Sequence, residues 1–349
     1  MSFHYSVGPW NVHDGTDMFG GATRDVLDVK ETIRHVAPLG FQAIQFHDDD
    51  LVPDIQEKSH GEILAETRRM RAFLDDLGLK AEFVAPRLWA PPEFRNGALT
   101  NPDAALRGKA IERSRRCLEL AREMGCDLVG FWFAREGTVV AESKDPVASV
   151  GYLVEALNTL LEEDREIRLF IEPKPNEPID RSFAPTMGHA MALSSLTVAP
   201  QRVGGLVESA HAILAGLDPA LEMAFALAHG RLFGVHLNDQ NSLRYDQDKA
   251  FGAENLRQAF NQVRVLHHAG FGSRGEYVGL DVKALGPQPA SNRLQHLRNS
   301  LRMVRIMERK VQEYEKARAA AGNLDIEQEE LLVLETLLGA TGEPAGGAH

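Results

Sequence analysis

Residues 168–178 read Arg168-Leu169-Phe170-Ile171-Glu172-Pro173-Lys174-Pro175-Asn176-Glu177-Pro178. The apolar run at the start has the character of a strand, so Glu172 and Lys174 leave its end. They stand two residues apart, which in extended backbone puts both side chains on one face. A carboxylate and an amine placed together at a strand end can hold a cation and polarise a carbonyl. Taken alone, the pair also reads as a surface ion pair in a proline-rich loop. The neighbouring segments decide between the two readings.

Outward from this strand, apolar strand-like and helix-like segments alternate. Strand candidates lie near 5–8, 42–46, 80–85, 127–133, 167–172, 203–207, 231–237 and 277–281. Between them, Leu106, Ala110, Ile111, Cys117, Leu118 and Ala121 recur on one helical face before Gly125, and the stretch Leu64–Leu77 stops at Gly78 in the same way. Eight strand-then-helix units predict an α/β fold of the (β/α)8, or TIM barrel, type. The competing open doubly wound sheet would carry a glycine-rich phosphate loop after its first strand, and Pro9-Trp10-Asn11-Val12 is not one. A last periodic helix over 293–318, with Leu294, Leu297, Leu301, Val304, Met307 and Val311, and a further one over 327–338 predict a short α-helical C-terminal extension. The expected organisation is a catalytic barrel over 1–290, a helical arm over 291–340 and a Gly/Ala-rich disordered tail over 341–349.

With 349 residues, 44% of them hydrophobic, the chain has ample material for a core. Lys plus Arg is 38 against 50 for Asp plus Glu, and a net charge of −12 gives no attraction for nucleic acid or anionic lipid. The two cysteines, Cys117 and Cys126, have no metal-ligand partners nearby in sequence and predict reduced thiols in a cytoplasmic setting. The N-terminus carries no basic-then-apolar signal and no window approaches a membrane span, so no membrane role is expected.

In barrels the chemistry collects at the C-terminal ends of the strands. Here those ends supply His47-Asp48-Asp49-Asp50, Trp132, Glu172 and Lys174, Glu208 and His211, and His236. The loop after His236 carries Asp246 and Asp248, and the final strand ends at Asp281. Each piece has a plain alternative. His-Asp-Asp-Asp can cap a helix, Asp-x-Asp can be a solvated turn, and His236 can be a hydrogen-bonded core histidine. Together, Glu172, Glu208, His211, His236, Asp246, Asp248 and Asp281 place five carboxylates and two imidazoles on one barrel mouth. Such a set cannot share a small space without cations, and oxygen-rich ligation with one or two imidazoles suits Mg²⁺, Mn²⁺ or Co²⁺.

The motifs Phe-Gly-Gly-Ala-Thr-Arg (19–24), Phe-His-Asp-Asp-Asp-Leu (46–51), Arg-Glu-Gly (135–137), Ile-Glu-Pro-Lys-Pro-Asn-Glu-Pro (171–178), Thr-Met-Gly-His-Ala (186–190), Tyr-Asp-Gln-Asp (245–248) and Phe-Gly-Ala (251–253) carry a resemblance over about residues 7–283. In these segments the chain resembles the xylose isomerase family, particularly its shorter actinobacterial type. The resemblance implies a metal-dependent aldose–ketose isomerase that opens a sugar ring and then moves hydrogen by a 1,2-hydride shift. It implies that His47, oriented by Asp50, helps to open the ring, and that Lys174 polarises the C1 carbonyl. It implies two divalent cations. Glu172, Glu208 and Asp281 belong to the structural one, and Glu208, His211, Asp246 and Asp248 to the catalytic one, with Glu208 bridging. Trp10, Phe19 and Trp132 match aromatic walls of the pocket, with Phe19 reaching into a partner subunit, so a homodimer or homotetramer is expected.

Four departures bear on this expectation. His236 stands where the family has an aspartate ligand, which removes one negative charge and adds a nitrogen. The third strand continues Ala85-Pro86-Arg87-Leu88-Trp89 in place of a polar segment, so hydroxyl partners for a sugar are lost and Arg87 and Trp89 join the pocket wall. Arg87 reads either as a surface residue or as a group facing the pocket, where it would suit a sugar acid or a larger polyol. Gly130 and Phe133-Ala134 around Trp132 reshape the pocket, and the segment after Lys283 is shorter than the family's arm. The competing functions are another metal-dependent sugar reaction on the same barrel, such as epimerisation or elimination, and a binding protein that has lost turnover.

Overall fold

The computed structural model describes residues 3–17 and 20–340. Eight parallel strands close into a barrel: β1 (Tyr5–Val7), β2 (Ala43–His47), β3 (Lys80–Ala85), β4 (Leu128–Trp132), β5 (Arg168–Glu172), β6 (Val203–Glu208), β7 (Leu232–Leu237) and β8 (Val278–Leu280). Closure is made by β1, whose Ser6 pairs with Gly279 of β8 on one side and Ala43 of β2 on the other. Helices α1 (Val29–Val36), α2 (His60–Asp76), α3 (Ala104–Met124), α4 (Pro146–Glu163), α5 (Met187–Ser195), α6 (Pro219–Ala228) and α7 (Leu256–His268) follow the first seven strands in turn. Helix α8 (Gln295–Ala321) follows β8, and α9 (Ile326–Leu338) packs against α8. The barrel expected from the alternation of segments is the observed fold.

Strand alternation sorts the side chains into two cores. Leu169 and Ile171 of β5, Val207 of β6 and Val235 and Leu237 of β7 point outward into the layer between barrel and helices. Burying each such side chain contributes about 1.5–3 kcal/mol. The inward-facing positions carry Phe83, Leu128, Phe170, Leu206 and Phe233, the last of these at the register shift between β6 and β7, and these side chains fill the barrel. Gly130 belongs to this inner set. A Cβ there would lie 2.1 Å from the Phe170 ring, so the volume given up at Gly130 is occupied by phenyl.

Helix limits follow their caps. The segment expected from Leu64 begins at His60 because Ser59 and Glu62 form a capping box, each side chain satisfying the other's backbone N–H. Helix α3 ends at Gly125, whose φ of 78° is the left-handed conformation that glycine takes without strain. Among the described residues no helix is long and apolar enough to cross a membrane.

The C-terminal helices are fastened to the barrel. Leu297, Leu301, Val304, Met307 and Val311 of α8 are buried at the spacing read from the sequence. Glu308 accepts from the Tyr5 hydroxyl at 3.0 Å. His296 pairs through Nε2 with the Asn11 carbonyl at 2.8 Å, while its Nδ1 has no partner. Burial is the main reason that the His296 pKa is pushed down to about 4. Folding therefore requires a neutral imidazole. As pH falls from the unfolded value near 6.5 towards 4, only the unfolded chain takes up this proton, and stability is lost. Denaturant unfolding at pH 7.5 and 5.0 should show His296 contributing about 2 kcal/mol to the loss at the lower pH. The variant His296→Gln, which keeps a donor but cannot titrate, should flatten that part of the slope; an unchanged slope would place the sensitivity elsewhere.

Candidate metal and sugar site

The strand ends converge on one mouth of the barrel, and two residue trios form there: Glu172, Glu208 and His236, and Glu208, His211 and Asp246. In each trio the ligand atoms lie within 4.8 Å of one another. Glu208 belongs to both. It is the last residue of β6, and His211 sits one turn later on the short helix Ser209–Leu214, so the i, i+3 spacing brings carboxylate and imidazole together. Glu208 Oε2 lies 3.3 Å from His211 Nε2 and 3.9 Å from His236 Nδ1. Its other oxygen accepts from Asn238 Nδ2 at 2.9 Å, which turns Oε2 towards the two imidazoles.

His236 is ringed by carboxylates from neighbouring strands. Its Nδ1 lies 3.4 Å from Glu172 Oε1 and 3.8 Å from Asp281 Oδ2. Asp246 Oδ2 lies 3.2 Å from His211 Nε2 and accepts from Lys174 Nζ at 2.8 Å. Asp248 lies outside the second trio in this arrangement; its carboxylate accepts from Asn238 and pairs with Lys283. Lys174 also stands 5.1 Å from the centre of the Trp132 ring.

The protonation balance shows how poorly this cluster tolerates its own charge. Burial and the neighbouring Asp246 charge push Asp248 well above the usual carboxylate range. Burial likewise raises Glu208, with Asp246 adding to it, and raises Asp281, with Glu208 adding to it. Burial opposes charge on His236 too, yet Glu172, Glu208 and Asp281 outweigh it and raise that imidazole well above its ordinary value. Asp248, Glu208 and Asp281 are thus pushed towards their protonated forms, whereas, against burial, His236 holds Glu172 low and His211 and Lys174 hold Asp246 well below the usual carboxylate range. Two buried atoms within the cluster, His211 Nδ1 and Asp246 Oδ1, have no hydrogen-bond partner. A donor set of carboxylates and imidazoles, short of positive charge and with unsatisfied atoms, fits divalent cations.

The sugar side of the pocket is aromatic. Trp10, Phe83, Trp89, Trp132 and Phe170 line it beside the charged cluster. His47 faces it between Trp10 and Trp89, with ring centres 4.4 and 5.0 Å away. His47 Nδ1 is held by Asp50 Oδ2 at 2.7 Å, which leaves Nε2 for the pocket. The reading of His-Asp-Asp-Asp as a helix cap also holds, because Asp50 accepts from the His47 backbone N–H at the start of the short helix Asp48–Leu51. Arg87 lines the pocket, but its guanidinium is engaged by Asp49 and Asp50, each at 2.7 Å. Trp132 Nε1 is buried without a partner. Phe19 lies outside the described residues.

Three groups near the cluster received no role from the sequence: Asn238, Lys283 and Gln45. The two-residue spacing was the available signal for all three, and Asn238 follows His236 by two residues. Lys283 follows Asp281 by two residues and Gln45 precedes His47 by two. Because both trios use Glu208, Glu208→Gln should weaken every Mn²⁺ position by at least about tenfold, whereas His236→Ala should weaken one and spare the other. Calorimetric Mn²⁺ titration reads both; independent responses to Glu208→Gln would rule out the shared carboxylate.

The family model described as xylose isomerase-like TIM barrel matches residues 33–302. Among solved structures, that of an L-ribulose 3-epimerase is similar with a TM-score of 0.65 at 12% identity, over 93% of this chain and 100% of that one. A D-psicose 3-epimerase gives 0.62 at 16% identity, over 87% and 99%. A 3-keto-D-glucoside 4-epimerase from E. coli gives 0.61 at 14% identity, over 87% and 99%. At these identities the likeness concerns the fold. The family model supports the resemblance read from the motifs at the level of the broader family. The chain belongs to the xylose isomerase-like TIM barrel family.

Proposed function

We propose that this protein is a divalent-metal-dependent aldose–ketose isomerase acting on a small neutral sugar. The observation that supports the reading is Glu208 Oε2, which faces both imidazoles and so could serve as one common ligand for two cations. Glu172, Glu208, His236 and Asp281 would hold one cation, and Glu208, His211, Asp246 and Asp248 the other. Bound there, divalent cations would supply the positive charge that polarises a carbonyl and stabilises alkoxide oxygens.

The protein groups supply the remainder. His47, fixed by Asp50 at Nδ1, offers Nε2 to the oxygens of a cyclic sugar and can move a proton during ring opening. Lys174 keeps its proton because the Asp246 charge outweighs the effect of burial, so its ammonium can donate to the C1 oxygen of the open chain. The aromatic walls exclude water from the migrating hydrogen. Trp132 Nε1 is a free donor for a substrate hydroxyl. Arg87, with both arms of its guanidinium paired to aspartates, favours a neutral polyol over a sugar acid. The polar partners absent from the third strand's wall lead us to expect weak activity on D-xylose itself.

A second reading has its own support. His236 with Glu172, Glu208 and Asp281 forms a single carboxylate-rich position beside the pocket, and the solved proteins of similar fold include sugar epimerases. Carboxylates there could remove a proton next to a carbonyl instead of escorting a hydride.

Isotope transfer separates the two. Aldoses deuterated at C2, tested as a panel with Mg²⁺, Mn²⁺ and Co²⁺, should give ketoses that retain the label at C1. Label lost to solvent, or solvent deuterium entering the product in D₂O, would favour proton-transfer epimerisation. Lys174→Ala should lower turnover by at least about a hundredfold with the fold intact by circular dichroism. Retained turnover would argue against the hydride shift.

A further inference from the structure

Beneath the cation cluster lies a buried polar chain that the proposed chemistry does not use. His236 Nε2 lies 3.2 Å from Gln45 Oε1. The Gln45 amide nitrogen donates onward to Glu82 Oε2 at 2.9 Å and to Ser6 Oγ at 3.1 Å. Ser6, Gln45, Glu82 and His236 stand on β1, β2, β3 and β7, and all are buried. Opposite them on β8 stands Gly279. A Cβ there would lie 2.5 Å from Gln45 Nε2 and 3.0 Å from His236 Cδ2. Only glycine leaves room for the amide and the imidazole to meet.

The order of donors and acceptors along this chain is fixed from its far end. Two oxygens, Glu82 Oε2 and Ser6 Oγ, converge on the Gln45 amide nitrogen. With its nitrogen facing those two acceptors, the Gln45 amide presents its oxygen to His236. An oxygen accepts only from a protonated nitrogen, so Nε2 carries the hydrogen. In the neutral imidazole that ligation requires, the lone pair is then left on Nδ1, the nitrogen that faces Glu172, Glu208 and Asp281.

We infer that Gln45, anchored by Glu82 and Ser6 and accommodated by Gly279, is a positioning residue that selects the His236 tautomer able to ligate a divalent cation through Nδ1. The inference rests on the reading of His236 as a ligand. It also explains how a histidine serves where the xylose isomerase resemblance has an aspartate. A carboxylate ligates in any rotation, whereas an imidazole needs its second nitrogen held.

The test is a cycle read by Mn²⁺ calorimetry on the full chain, with no need for turnover. Gln45→Met keeps the side-chain volume and removes the acceptor. It should weaken the His236 cation position by about 10–100-fold. In a His236→Asp background the same change should alter affinity less than about twofold, because an aspartate has no tautomer to select. No loss in the parent, or equal losses in both backgrounds, would overturn the inference. A parent chain that binds no Mn²⁺ would sink the proposed function together with it; a parent that binds while Gln45→Met is silent would sink this inference alone. Imidazole ¹⁵N shifts of the Mg²⁺-loaded, unsubstituted protein give a check independent of any variant's folding. They should show His236 protonated at Nε2 and not at Nδ1, and the opposite tautomer would contradict the assignment.

Discussion

Five carboxylates, three of them buried and two half-buried, share the mouth of this barrel, and their mutual repulsion is the constraint around which the rest is arranged. Two lysines and two histidines offset it, with Lys174 on Asp246, Lys283 on Asp248 and both imidazoles among the carboxylates. The shared position of Glu208 follows from this. In the proposed arrangement one carboxylate serving two cations would place less charge in the cavity than two separate ligands would, and Asn238 holds Glu208 Oε1, leaving Oε2 turned towards both imidazoles.

The barrel makes this concentration of charge tolerable. Parallel strands deliver their last residues to a single ring, while the inward-facing positions just below fill with Phe83, Leu128, Phe170, Leu206 and Phe233. That apolar layer shares the barrel interior with the polar chain Ser6–Gln45–Glu82 that runs down from His236. The buried pair Arg113–Asp48, joined at 2.6 and 2.8 Å, braces the outside of the same mouth from α3 and fixes the short turn that carries Asp50. Arg87 extends this brace through Asp49 and Asp50 to His47, so the ring-opening candidate is part of a continuous charge-paired network.

The fold was legible because it depends on local pattern. Apolar runs of strand length, helical spacing between them and glycine stops at Gly78 and Gly125 are each properties of neighbouring residues. The convergence of Glu172, Glu208, His211, His236 and Asp246 was legible for a related reason: strand ends in a barrel meet whatever the side-chain details. The pairings were not legible. Whether Arg87 faces solvent or the pocket depends on Asp49 and Asp50, and Asp248 is drawn to Lys283 across a strand boundary. The polar chain from His236 through Gln45 to Glu82 joins β7, β2 and β3, which are far apart in the sequence. The start of α2 was misjudged by four residues because the apolar pattern begins later than the cap at Ser59.

The central claim is that one carboxylate oxygen, Glu208 Oε2, belongs to two cation positions. Anomalous diffraction from crystals soaked in Mn²⁺ measures this directly. The account predicts two manganese peaks flanking Glu208, one within bonding distance of His236 Nδ1 and the other of His211 Nε2. A single peak bound by Glu172, His236 and Asp281 with His211 left free, or no peak touching Glu208, would contradict it.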